Sequence, residues 1–230
     1  MKAAVVTVGD ELLAGDTVDT NATWLCTQLT ERGVAVERVT TLPDRVDAIA
    51  RVVNEYHAEY DAVIVTGGLG PTHDDVTMDA VAAAFGRELE PHEEAATWLE
   101  TNGGYSAADL VKGTTDLPAG ARMLPNEAGV APGAVVGSVY VLPGVPDEMK
   151  TMFGRIADEF AGETNHVRFV HTSEPESSLI ERFEALQSEF DVRVGSYPGD
   201  HVRVKLAATD ESTVEAAVAW LEERVESHEE

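Results

Sequence analysis

The first apolar block of the chain is AAVVTV, residues 3–8, which runs without a charge and stops at Gly9. An unbroken run of that length closed by glycine reads as a strand buried on both faces. The period then changes. In TNATWLCTQLTERG (20–33), Trp24, Leu25 and Leu29 return at helical spacing, and Gly33 supplies a stop. VAVERVTTL (34–42) predicts a second strand, closed by Pro43-Asp44, and RVDAIARVVNEYHAEY (45–60) a second helix. DAVIVTG (61–67) predicts a third, β-branched strand, and TMDAVAAAFG (77–86) a third helix with Thr77 as its N-cap and Gly86 at its end.

Three strand–helix repeats with short loops imply parallel strands joined by crossover helices, with the sheet covered on both faces. Ligands in such sheets bind beyond the carboxyl ends of the strands. The loops at Gly9, Pro43 and Gly67 all fall at that edge and should converge. From 88 to 118 the pattern is helical and then loose, through NGGYS and GTTDLPAG. Residues 121–124 and 134–142 read as strands around NEAGVAPG, and VPDEMKTMFGRIADEFAG as a helix. GETN (162–165) reads as a joint. Beyond it, HVRFVHT, PESSLIERFEALQSEF, DVRVGSY, HVRVKLAAT and ESTVEAAVAWLEERVE predict a β-α-β-β-α order, with a frayed SHEE tail. The expected organisation is therefore a three-layer α/β/α domain with a mostly parallel sheet over 1–161, followed by a small α+β domain over 166–227.

Charge changes the picture in one respect. Asp and Glu total 42 against 16 Lys and Arg, a net charge of −26, and only four of the cations are lysine. A dispersed acidic excess suits a proteome adapted to high salt, where counterions screen self-repulsion. It argues against a nucleic-acid partner, since phosphate binding needs clustered Lys and Arg. No stretch approaches the roughly 20 apolar residues of a membrane span, and the N-terminus lacks the shape of a signal peptide. A cytoplasmic protein with no membrane partner is expected. The lone Cys26 reads as a small buried side chain within a helix.

The densest chemistry is TGGLGPTHDDVTMDA (66–80). Gly67, Gly68 and Gly70 follow a strand and precede a helix, so backbone N–H groups can face an anion beside a positive helix end. No Lys-Ser/Thr follows, so it is not a P-loop. Asp74 and Asp75 would oppose a phosphate unless a divalent cation joined them, since Mg²⁺ takes one or two carboxylates together with phosphate oxygens. They are the candidate metal ligands. With Asp10 and Glu11 after the first strand and Asp44 after the second, they form an acidic edge suited to metal-assisted hydrolysis or adenylyl transfer at a pyrophosphate. His73 is within reach of the same edge.

GDELLAG (9–15), DTN (19–21), TGGLGPTHDDVT (66–77), NEAGVAPG (126–133) and LPGVPDEM (142–149) together resemble the N-terminal domain of CinA, of the molybdopterin-binding, MoaB/MogA-like superfamily. The resemblance covers about residues 1–160, and VGSYP (194–198) resembles the small middle domain of CinA-like proteins. It implies Asp44 and Asp75 as catalytic acids. It also implies ligand contacts from Gly9, Asp10, Glu11, Thr66, Gly67, Gly68, Gly70, Pro71 and Thr72, and from Asn126, Gly129, Gly133, Pro143, Gly144, Pro146 and Glu148. The activity it implies is metal-dependent hydrolysis of ADP-ribose or a related dinucleotide, with Mg²⁺, Mn²⁺ or Co²⁺, in a homo-oligomer. The alternatives are binding or adenylylation of molybdopterin and a non-catalytic nucleotide-binding module. The C-terminal amidase domain of full-length CinA proteins is not part of the match. VKGTTDLPAG (111–120) lacks the Lys/Arg-Gln-Ala of the family pattern.

Overall fold

The computed structural model describes residues 1–103, 113–163 and 166–228. The chain divides into two compact units, Met1–Gly162 and Glu163–Glu230.

In the first unit, β1 (Lys2–Val8) is an interior strand of the sheet. It pairs in parallel with β2 (Ala35–Leu42) on one side and β3 (Ala62–Thr66) on the other. β3 pairs in parallel with β8 (Val139–Leu142), which forms a hairpin with β7 (Gly133–Val136), and β6 (Arg122–Leu124) closes the edge. The order is β2-β1-β3-β8-β7-β6, parallel over four strands and antiparallel at one end.

Two apolar cores follow from the alternation of side chains across the sheet. On one face, Val5, Ile64 and Leu142 pack with Leu25 and Leu29 of α2 (Thr20–Glu31) and with Met149, Met152, Phe153 and Ile156 of α6 (Pro146–Ile156). On the other, Val6, Val65 and Val141 meet Ile49, Val52 and Val53 of α3 (Val46–Glu59) and Ala80 and Val81 of α4 (Thr77–Ala84). This is the expected three-layer α/β/α arrangement with a mostly parallel sheet. Each fully buried Leu or Ile contributes about 1.5–3 kcal/mol. Cys26 packs half-buried against the first core, and burial pushes its thiol pKa up.

The structure departs from the sequence expectations locally. Asp10–Ala14 forms a short helix, α1, directly after Gly9. Thr77 does not cap α4: Val76 occupies that position, and the Thr77 hydroxyl is buried with no hydrogen-bond partner. Between 88 and 118 the chain is not simply helical. β4 (Leu89–Pro91) and β5 (Asp116–Pro118) pair antiparallel around α5 (Glu93–Trp98), a pairing across more than twenty residues that no local pattern announces. Most of NGGYS, and Val111 and Lys112 of VKGTTDLPAG, lie outside the described residues.

In the second unit, β9 (His166–Thr172), α7 (Ile180–Glu189), β10 (Arg193–Tyr197), β11 (Val202–Ala208) and α8 (Glu211–Glu222) follow in order. They build an antiparallel sheet, β10-β11-β9. Val170, Val204 and Leu206 pack with Leu186, Val214, Ala217 and Leu221. The tail is more ordered than SHEE suggests. Ser227 bridges to Thr172 and the His228 amide donates to His171, because Thr172 leaves β9 an open edge there. Glu229 and Glu230 lie outside the described residues.

Candidate functional site

The loops after β1, β2, β3 and β8 meet at one edge of the first unit. The Gly9 amide donates to the Leu42 carbonyl, and the Asp10 amide donates to Asp44 Oδ2 at 2.8 Å, tying the first two loops together. The Gly67 amide donates to the Leu142 carbonyl, and the Thr66 hydroxyl to the Pro143 carbonyl at 2.7 Å. Asn21 Nδ2 donates to the Gly144 carbonyl at 2.7 Å, fastening the start of α2 to the same edge. Gly67 has φ +108, and a Cβ there would overlap the carbonyl oxygen of Val8. Only glycine lets β3 turn so close against β1.

The two adjacent aspartates do different things. Asp75 turns back into its own loop: its Oδ2 accepts from the Thr72 amide at 2.9 Å and the Thr72 hydroxyl at 2.5 Å. Gly70 makes room for it, since a Cβ at 70 would sit 2.5 Å from that oxygen. Thr72 also holds the Asp74 carboxyl below its ordinary range. Burial pushes the Asp44 carboxyl pKa up, and the charges of Asp10, Glu11 and Asp74 push it further, against the Asp10 amide that lowers it. Asp10, Glu11 and Asp74 are thus close enough to act on Asp44. Among the described residues no Lys or Arg forms an ion pair with any of these four acids. Nor, among the described residues, is any group of three or more His, Cys, Asp or Glu arranged to hold a metal unaided. His73 is 3.7 Å from Asp74 with its ring almost fully exposed.

Two hollows flank the glycine loop. The larger, about 610 Å³, is lined by Gly68, Gly70, Pro71, Thr72 and Asp75 and walled by Met78, Leu89, Leu117 and Pro132, with Asp79 and Asp116 also at its surface. That volume suits a nucleotide-sized ligand. The smaller, about 110 Å³, is lined by Glu11, Asn21, Thr66, Gly67, Gly144 and Pro146. The amides of Gly68, Leu69 and Gly70 have no hydrogen-bond partner among the described residues. The Asn21 Oδ1 and Thr77 Oγ1 atoms are buried and unpartnered, and the latter lies where a Cβ of Gly68 would fall. Buried polar atoms are rarely left so.

The remaining motif residues are placed less directly. Asn126 is buried. Its Nδ2 donates to Glu148 Oε2 at 2.7 Å and to the Ala131 carbonyl at 3.0 Å, which pins NEAGVAPG to the start of α6. Gly129 leaves space for that same Glu148 carboxylate. Gly133 is a packing residue of β7: a Cβ there would meet the Val141 carbonyl oxygen and collide with Met152. It lies outside both hollows, as do Asn126, Gly129 and Glu148. Residue-by-residue reading missed Asp79 and Asp116, which only the folded cleft brings together, and Asn21, whose sole signal was the DTN motif.

Residues 4–162 match the family described as "Probable molybdopterin binding domain". The chain belongs to that family. Residues 164–229 match a second family, "FAD synthase, middle domain". A protein of Archaeoglobus fulgidus is 36% identical over 225 residues, covering 97% of both chains. A CinA-like protein of a Geobacter species is 36% identical over 98% of this chain, which spans 58% of that protein's length. A crystal structure of CinA from Thermoplasma acidophilum superposes with a TM-score of 0.64 at 35% identity, covering 69% of this chain and 97% of that one. The chain is thus a CinA-like member of the molybdopterin-binding family. No helix among the described residues is long and apolar enough to cross a membrane.

Proposed function

We propose that the first unit is a metal-assisted pyrophosphatase acting on ADP-ribose or a related dinucleotide. The observation that carries this reading is the meeting of opposites at one edge. Three unpaired amides, of Gly68, Leu69 and Gly70, border a cleft large enough for a nucleotide, which Asp75, Asp79 and Asp116 also line, while Asp44, Asp10, Glu11 and Asp74, without cationic partners among the described residues, gather at the strand ends. The amides suit phosphate oxygens. The acids suit a divalent cation that arrives with those oxygens, which explains why the protein needs no complete metal cage. Asp44, with Asp10, Glu11 and Asp74 around it, is the group to hold that cation. When bound, the cation supplies Lewis-acid polarisation of the phosphoryl group.

The chain's own contributions are positioning and charge. Thr72 and Asp75 brace the glycine loop, keeping its amides on one side. The apolar wall of Met78, Leu89 and Leu117 accepts a flat heterocycle and excludes water from it. The same wall would take a pterin, so binding or adenylylation of molybdopterin is the second reading. Its supporting observation is the family match over residues 4–162.

The test is steady-state cleavage of ADP-ribose with Mg²⁺, Mn²⁺ or Co²⁺ against a chelator control. Asp44→Asn should lower turnover roughly 100-fold, since each 1.36 kcal/mol lost is about tenfold in rate. Wild-type activity that survives the chelator would end this reading. So would an Asp44→Asn variant at full rate. Co-purified pterin fluorescence without turnover would put the second reading in front.

A further inference from the structure

Acids outnumber cations 42 to 16 in this chain, yet the three strands of the second unit contain no Asp or Glu at all. HVRFVHT, RVGSY and VRVKLAA carry Arg168, Arg193, Arg203 and Lys205 instead. Six acids of this unit sit on its helices, Glu181, Glu184 and Glu189 on α7 and Glu211, Glu215 and Glu222 on α8, and the rest lie outside the strands and these two helices. The helices cover the sheet face that presents Val170, Val204 and Leu206. Arg168 shares that face, and the opposite face carries Arg193, Arg203 and Lys205.

The register lays that face out. Tyr197, Arg203 and His171 form one row across β10, β11 and β9. Gly195, Lys205 and Phe169 form the next, and Arg193, Ala207 and Val167 the third. Two aromatic rings are open to solvent, Phe169 at 48% and Tyr197 at 44% exposure. Tyr197 leans across Gly195, where a Cβ would already lie 3.4 Å from the ring. Arg203 lies 5.9 Å from the centre of the same ring. Arg168 is neutralised by Glu211, but Arg193, Arg203 and Lys205 form no ion pair among the described residues. Asp191 and Asp200 border the face at its loops without pairing to it.

Cations and exposed rings gathered on one face have one chemistry in common. Guanidinium and ammonium groups take phosphates, and aromatic faces take bases. We propose that this open face binds single-stranded nucleic acid, with bases stacked on Tyr197 and Phe169 and phosphates held by Arg193, Arg203 and Lys205. The cations and rings are spread over three strands, which suits an extended chain that touches several rows. Arg203 and Lys205 stand two residues apart on β11, roughly 7 Å along the strand, so they reach neighbouring phosphates. The net charge of −26 argued against nucleic acid as a chain average. Beyond the Debye length, about 8 Å at physiological salt, the remote acids are screened, and the local cluster decides.

The test uses the full chain and a fluorescein-labelled eight-nucleotide RNA of mixed sequence, read by fluorescence anisotropy. Saturable binding is expected at 0.1 M salt. Three phosphate contacts predict a log–log salt slope of about −2. Arg203→Ala with Lys205→Ala should bring the slope below about −1 in magnitude. Tyr197→Leu should weaken binding roughly tenfold, and Tyr197→Phe should restore it, because stacking needs only the ring. All these positions are on the surface, and unchanged melting temperatures would verify folding. Absence of saturable binding overturns the proposal, as does binding indifferent to these substitutions. Equal competition by free AMP would assign the face to a mononucleotide, and equal competition by a polyglutamate peptide to an acidic protein. Either result overturns it too.

Discussion

Gly70→Ala separates what holds the first unit together from what its glycine loop does. Gly70 is not in the left-handed region, so alanine brings no backbone strain. The three nearest atoms to the new methyl are those of the Asp75 carboxyl group, with Oδ2 at 2.5 Å. Ordinary contact requires about 3.4 Å, so the carboxylate must move by about 0.9 Å. That shift breaks its bonds to the Thr72 amide and hydroxyl at 2.9 and 2.5 Å. The loop is partly exposed and water replaces those partners, so the stability cost stays near 1–2 kcal/mol. Catalysis is less forgiving: a displacement of about 1 Å in a positioning group costs up to about 100-fold. The expected result is a cooperative thermal melt within a few degrees of wild type and ADP-ribose turnover reduced roughly 10- to 100-fold. Calorimetric titration with a non-hydrolysable analogue would show whether binding falls with it. A Gly70→Ala protein at full turnover would refute the role given to the Asp75–Thr72 brace. One that fails to fold would refute the claim that only Asp75 occupies that space.

Gly67→Ala should behave oppositely, because φ +108 and the Val8 carbonyl leave a methyl nowhere to go. A loss of roughly 2–6 kcal/mol in urea denaturation is expected, from backbone strain and overpacking together. A raised Asp44 pKa means that the native protein keeps a proton the unfolded chain has released above the ordinary value of 3.8, so stability falls as pH rises through that window. Asp44→Asn should therefore melt above wild type at pH 7 in chelator, with the gap closing below about pH 4, and a variant that melts lower would contradict the repulsion described. The net charge of −26 should make the melting temperature rise with salt, since the Debye length shrinks from about 10 Å at 0.1 M to about 3 Å at 1 M. A flat salt series would remove the high-salt adaptation that the charge alone suggests.

By itself, the sequence determined the repeating order of strands and helices in the first unit and the β-α-β-β-α order of the second. The reason is that the period of buried side chains is a local property: AAVVTV and DAVIVTG cannot satisfy a helical stripe, and Leu25 and Leu29 cannot satisfy a strand. The loops that build the site could also be read, because parallel strands put every β–α turn at one edge. What those loops do to one another could not. That the Thr72 amide donates to Asp75 is a choice made by a few ångströms of loop path. Asp79 and Asp116 share a cleft only because β4 and β5 pair across an intervening helix. Thr77 lost its capping role because the approach of Gly68 buries its hydroxyl. The cationic face of the second unit is hidden in the same way. A sum over the chain reads −26, and only the register of β10, β11 and β9 gathers Arg193, Arg203 and Lys205 onto one side.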